Sequence, residues 1–158
     1  MKTIPSFEVD HEKLYPWIYV SRKDFLWTNV ITTFDIRLKK PNIEPVIDNP
    51  AIHSMEHIWA TFLRNHKKWW NKTVYFWPMW CRTGFYTIFL WDINSKDILD
   101  LVKELFVYIS IFEWKIPWCS SKWCWNYLDH NLSMANYESK VFLEKINNFT
   151  EKNLNYPN

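Results

Sequence analysis

Glycine is nearly missing from this chain. Gly84 is the single example in 158 residues, where ordinary usage of about 7% would supply about 11. Turns and helix ends that need φ > 0 must therefore use other residues. Cysteine is scarce as well: Cys81, Cys119 and Cys124 are too few, and odd in number, for a secreted disulfide scaffold. No run approaches 18 uncharged apolar residues, so no membrane-spanning helix is expected. The first twenty residues carry Lys2, Glu8, Asp10, His11 and Glu12 without an apolar centre. They do not read as a signal peptide, and the expected location is cytoplasmic. Neither sign of charge dominates, with 19 Lys and Arg against 17 Asp and Glu, which argues against a nucleic-acid or membrane-binding surface.

What is present describes a folded domain. Hydrophobic residues make up 48% and charged residues 23%, which excludes disorder. The length suits one domain over residues 1–158. Aromatic content is high, at 20% with 12 tryptophans. Without a basic stripe it reads as core packing rather than as stacking platforms for single-stranded nucleic acid. Tryptophan nevertheless stands where turn residues belong, at Trp27, at Trp69-Trp70-Asn71 and at Trp91 before Asp92.

Four strands are expected: Trp17 to Val20, Asn29 to Leu38, Thr73 to Trp77 and Gly84 to Trp91. In the second, Ile31, Thr33, Asp35 and Arg37 alternate with Thr32, Phe34, Ile36 and Leu38. Asn49-Pro50 reads as an N-cap and first helical residue of a helix running to about His66. Asn94 and Ser95 can cap a second helix carrying Ile98, Leu101, Leu105, Ile109 and Phe112 at helical spacing. A last helix follows His130, with Met134, Tyr137, Val141 and Phe142 as its apolar side. Short hairpin links, with helices between pairs of strands, predict an α+β fold: an antiparallel sheet packed against helices.

The strongest chemical signal is His53-Ser-Met-Glu56-His57 in the first helix. At i, i+3 and i+4 two imidazoles and a carboxylate share a helical face, an arrangement that can hold one divalent metal with the glutamate left to move protons. The order H-x-x-E-H is a zinc-peptidase signature; a solvated polar stripe would read the same way. A third donor could be a cysteine. Cys81 lies in Pro78-Met-Trp-Cys81-Arg-Thr-Gly84 and Cys124 in Cys124-Trp-Asn-Tyr127-Leu-Asp-His130. Two imidazoles and a thiolate suit zinc or ferrous iron and leave a fourth position open. For Cys119 no context suggests more than an inert thiol.

Five segments in order resemble the S-ribosylhomocysteine lyase (LuxS) family: Ser6-Phe7-x-Val9-Asp10-His11; Thr33-Phe34-Asp35-Ile36-Arg37 with Pro41-Asn42; Ile52-His53-x-x-Glu56-His57 with Phe62-x-Arg64-Asn65-His66; Pro78-Met79-x-Cys81-Arg82-Thr83-Gly84-Phe85-Tyr86; and Cys124-x-x-Tyr127-x-x-His130. The resemblance implies that His53, His57 and Cys124 hold one divalent metal per subunit. Fe2+ is the first choice, with Zn2+ or Co2+ accepted by the same donors. It implies Glu56 and Cys81 as acid/base groups, the Cys81 thiolate favoured by the metal and by Arg82, and Ser6, His11 and Arg37 as substrate contacts. It further implies a homodimer with active sites at the interface, and no nucleic-acid or membrane partner. The implied reaction cleaves S-ribosylhomocysteine to homocysteine and 4,5-dihydroxy-2,3-pentanedione, the precursor of the quorum-sensing signal autoinducer-2. A metallopeptidase built on His53, Glu56 and His57, and an inactive dimeric remnant of the lyase, are the alternatives.

The resemblance fails in one consistent way. Where the family has glycine this chain has Trp17, Trp27, Trp59, Trp77, Trp80, Trp118 and Trp125. Overpacking costs about 1–3 kcal/mol per site, against the roughly 5–15 kcal/mol that hold a domain together. The codon UGA specifies tryptophan in some bacteria and glycine in others, and a glycine gene read with the tryptophan table would give this pattern.

Overall fold

The computed structural model describes residues 8–148, 150 and 154–157. Ser6 lies outside the described residues.

The sheet has four strands: β1 (Ile18–Leu26), β2 (Asn29–Arg37), β3 (Thr73–Pro78) and β4 (Gly84–Leu90). They pair antiparallel throughout in the order β1-β2-β4-β3. The first strand continues to Leu26, well past the expected end at Val20, because Arg22 to Leu26 keep pairing with Asn29 to Thr33 after an irregularity at Val20/Arg22. Trp27 and Thr28 are all that remains of the connecting loop.

Among the described residues there are three long α-helices: α1 (Asn49–Asn65), between β2 and β3, then α2 (Leu99–Ser110) and α3 (Leu132–Asn147) after β4. Asp48, not Asn49, is the N-cap of α1, and Pro50 stands within its first turn, where the missing N–H costs no hydrogen bond. Asn94 caps a 3-10 turn, Ser95–Ile98, through a reciprocal box with Asp97, and that turn runs into α2. At α3 the Asn131 side chain accepts from the Met134 N–H at 3.1 Å.

Phe34 and Ile36 of β2 and Phe85 and Phe89 of β4 meet Met55, Trp59 and Leu63 of α1, Leu101, Leu105 and Ile109 of α2 and Phe142 of α3 in one core. The buried residues of α3 are Ala135, Glu138, Ser139, Phe142 and Ile146. Met134 and Tyr137, expected inside, are exposed, because the helix is rotated so that small residues meet its neighbours. On the opposite face of the sheet Asp35 and Arg37 are also buried, so β2 is covered on both sides.

Among the described residues, left-handed backbone occurs at Trp27, Asn42, Arg82, Trp91 and Trp118. A bulky aromatic residue there is strained. Gly84 meets a different demand: a Cβ at that position would sit 2.3 Å from the Ile36 carbonyl oxygen. Trp69 and Trp70 are not left-handed, nor are Trp80 and Trp125, which project wholly into solvent. Trp59 departs most from expectation. It is fully buried, packed against Phe76, Phe85 and Phe106, although its indole N–H has no partner among the described residues.

Candidate functional site

Helix α1 presents His53 and His57 one turn apart toward the segment between α2 and α3, and Cys124 and His130 of that segment complete a cluster of four donors. Their ligand atoms all lie within 4.8 Å of one another. Cys124 Sγ is 3.3 Å from His53 Nε2, 3.5 Å from His57 Nε2 and 3.8 Å from His130 Nε2. For a tetrahedral ion with ordinary metal–sulfur and metal–nitrogen bonds the corresponding separation is about 3.6 Å. The donor spacing therefore fits a metal ion.

The ring tautomers agree. His53 Nδ1 lies 2.8 Å from the Asp129 carbonyl oxygen and His57 Nδ1 2.7 Å from that of Pro117. A carbonyl can only accept, so each Nδ1 carries a proton and donates it, and Nε2 is the ring atom turned toward the cluster to bind a metal. His130 Nδ1 faces Ser54 Oγ at 3.3 Å. That hydroxyl donates its one proton to the Pro50 carbonyl at 2.7 Å and accepts the Asn131 N–H at 2.9 Å, so toward His130 it also accepts. Three imidazoles thus turn their Nε2 atoms to one sulfur. Burial, with His53 and His57 beside it, pushes His130 down to about 4, so that ring is neutral near pH 7.

His130 was not among the expected donors, although it closes the Cys124-x-x-Tyr127-x-x-His130 motif. It lies just ahead of α3, and only the turn joining it to Cys124 brings the two together. Glu56 is not among the four clustered donors. At about 100° per residue, Glu56 points roughly 60° to one side of His53 while His57 points roughly 40° to the other.

The remaining expected residues lie elsewhere. A cavity of about 920 Å³ opens on the face of the sheet opposite the helices, lined by His11, Asp35, Arg37, Cys81, Thr83 and Tyr86 among others. None of the four clustered donors lines it, nor does Glu56. The register explains its floor: Asp35 pairs with Tyr86 and Arg37 with Gly84, so these side chains share a face. Arg37 reaches Asp35 Oδ2 through Nη2 at 2.5 Å, and its Nη1 contacts Thr83 Oγ1 at 2.5 Å and Cys81 Sγ at 3.8 Å. Thr83 Oγ1 is also 3.0 Å from that sulfur. The cation found beside Cys81 is therefore Arg37, where Arg82 had been expected. Burial pushes the Asp35 carboxyl up, opposed by the Arg37 guanidinium and by the Tyr156 hydroxyl, which donates to Oδ2 at 2.9 Å. Asp35 Oδ1 and Arg37 Nε are buried with no partner among the described residues. Cys119, by contrast, joins neither centre; its thiol donates to the Tyr127 carbonyl.

No described helix is long and apolar enough to cross a membrane. The family model for S-ribosylhomocysteinase (LuxS) matches residues 4–153. Similar proteins named S-ribosylhomocysteine lyase occur in Borreliella burgdorferi, at 57% identity over 99% of this chain and 100% of the relative. One from Finegoldia magna is 54% identical over 99% of both chains, and one from Clostridium beijerinckii 53% identical over the full length of both.

Proposed function

The chain belongs to the S-ribosylhomocysteinase (LuxS) family, and from that membership we propose that it is a carbon–sulfur lyase that cleaves S-ribosylhomocysteine. The observation that carries this reading is the convergence of the His53, His57 and Cys124 donor atoms, since the chemistry needs an electrophile. In the reaction the ribose carbonyl moves from C1 to C2 to C3 by successive proton removal and return. The C–S bond β to it then breaks. Homocysteine leaves as thiolate and takes up a proton, and 4,5-dihydroxy-2,3-pentanedione remains. A divalent ion, Fe2+ or in its place Zn2+ or Co2+, would supply Lewis-acid stabilisation of charge on the sugar oxygens. His53, His57 and Cys124 hold it in this reading. Cys81 takes and returns protons, with Arg37 3.8 Å away to balance negative charge on the sulfur. Glu56 serves the later shift and the elimination. Arg37, His11 and Ser6 contact substrate.

On the described chain Cys81 and the donor cluster belong to separate features. This supports a homodimer in which the cavity of one subunit faces the cluster of the other. The pentanedione would serve as autoinducer precursor, and the enzyme would work in the cytoplasm as one domain. Metal analysis with a thiol-release assay on S-ribosylhomocysteine tests the reading. Bound metal with homocysteine release supports it; bound metal without release returns the H-x-x-E-H peptidase, and neither returns the inactive remnant. Mixing Cys81→Ala with Cys124→Ala subunits tests the shared site. Random reassociation regenerates one intact site in half the dimers, about a quarter of full activity; no recovery would place each site within one chain.

The left-handed Trp27 and Trp118 support reading the family's glycine positions here as glycine in the cell. Intact mass of the protein from its native source, clearly below 19.5 kDa, is the expected result; agreement with 19.5 kDa would mean the tryptophans are real.

A further inference from the structure

We propose that Tyr156, near the end of the chain, is a positioning residue for Cys81 that acts through Asp35 and Arg37. The proposal deepens the lyase reading and rests on its assignment of Cys81 as the group that takes and returns protons.

Strand register prepares the seat. Tyr19, Asp35 and Tyr86 stand opposite one another on β1, β2 and β4, so their side chains form one row across the cavity face. The end of the chain lies over this row. Ser95 Oγ donates to the Leu154 carbonyl at 3.2 Å. Two residues later the Tyr156 ring stacks on Tyr19, with centroids 4.8 Å apart and planes 16° from parallel. The stack fixes where the phenol hydroxyl falls. It donates to Asp35 Oδ2 at 2.9 Å and accepts from Ser21. Burial and the Asp35 charge push this phenol up, so it keeps its proton near neutral pH and stays a donor.

The hydroxyl bears on Cys81 through two steps. Asp35 Oδ2 takes both the Tyr156 hydroxyl and Arg37 Nη2, whereas Oδ1 is buried with no partner among the described residues. The bonds at Oδ2 are therefore what hold the carboxylate plane. Arg37 depends on that plane in turn. With Nη2 fixed on Asp35, Nη1 is aimed at Thr83 Oγ1 and lies 3.8 Å from Cys81 Sγ. A guanidinium is rigid and planar, so holding one end sets the other. Without the phenol hydroxyl Asp35 keeps one of these two bonds. The carboxylate can then turn, and the positive charge beside the sulfur loses its fixed place.

The test is Tyr156→Phe, which keeps the stacked ring and removes only the hydroxyl. The readout is the pH profile of Cys81 alkylation by iodoacetamide in the metal-loaded protein. Mass spectrometry follows Cys81 in its own peptide, apart from Cys119 and Cys124. A unit charge 3.8 Å from the sulfur changes its ionisation about 6-fold even at the dielectric of water. Partial release of Arg37 should move the profile to higher pH and slow alkylation at pH 7 about 3-fold. The remaining ionisable neighbours, His11, Tyr19, Glu44, Arg82 and Tyr86, are common to both proteins, so a difference reports the Asp35–Arg37 pair. An unmoved profile, or one moved to lower pH, would overturn the proposal, even if the urea midpoint fell as for a packing residue. A chain ending at Asn155 loses ring and hydroxyl together and should show at least the same shift. A shift there but none in Tyr156→Phe would assign the effect to the ring and overturn the hydroxyl's role. Neither readout uses S-ribosylhomocysteine. A protein whose profile moves as expected yet releases no thiol from that substrate would lose the lyase reading and keep Tyr156 as the residue that positions Arg37.

Discussion

Around Cys124 three imidazoles are oriented by hydrogen bonds at Nδ1 and turn their Nε2 atoms to the sulfur. Around Cys81 the sulfur instead faces a guanidinium and a hydroxyl, and the carboxylate behind that guanidinium is fully buried. The first region gathers four donor atoms at spacings that suit a bound cation. The second is neutralised from within the protein and needs no added ion to hold its shape. Two cysteines in one small chain thus have opposite chemistry: one suited to grip a metal, the other to exchange protons beside a fixed positive charge.

The comparison is tested most sharply by removing each sulfur in turn. Cys124→Ala should lose bound metal and with it all measurable turnover. Cys81→Ala should keep full metal occupancy while turnover falls roughly 10²–10⁴-fold. Metal content and thiol release measured on both variants check this, and homocysteine release by Cys81→Ala near the wild-type rate would end its assigned role. Next in size is Arg37→Met. It leaves Asp35 buried without its guanidinium, a kind of loss that costs about 3–5 kcal/mol, and should lower the urea midpoint without changing metal occupancy. An unchanged midpoint would mean that the ion pair does not organise the cavity.

A smaller effect is expected where neither region is touched. Trp27 is fully exposed and left-handed, and strain of this kind costs about 1–3 kcal/mol. Trp27→Gly should therefore raise the thermal midpoint, as differential scanning calorimetry would show. The smallest effect concerns Glu44, at the rim of the cavity. Burial raises its carboxyl, but the Lys145 ammonium at 2.5 Å and the Lys40 N–H outweigh that and hold it below the ordinary value. The unfolded chain therefore takes up the proton first as pH falls. The stability Glu44 contributes is present above about pH 4.5 and is lost below it. Glu44→Gln should lower the urea midpoint slightly above about pH 4.5 and approach the wild-type midpoint below it, so that the acid limb is flatter.

The fold was readable wherever local pattern decides. Alternation in Thr32 to Leu38 and helical spacing from Ile98 to Phe112 are short-range properties, and both appear as expected. The length of β1 was not readable, because Arg22 to Leu26 carry a mixed polar pattern and are held in the sheet by cross-strand pairing with β2. The apolar face of α3 was misplaced for a related reason. Met134 and Tyr137 are more hydrophobic than Ala135 and Ser139, but close approach of the packed elements selects the small residues. Trp59, expected to overpack, is enclosed by three phenylalanines, because a core reached from four elements can rearrange around one large ring.

The sequence by itself determined that His53 and His57 face the same way, since one helical turn brings residues four apart into line, and its ordered motifs matched the family's. Only the tertiary structure decided that His130 joins them and that the cation beside Cys81 comes from Arg37. Each of these is a meeting of segments, and such meetings depend on packing and strand register rather than on the spacing of residues along the chain.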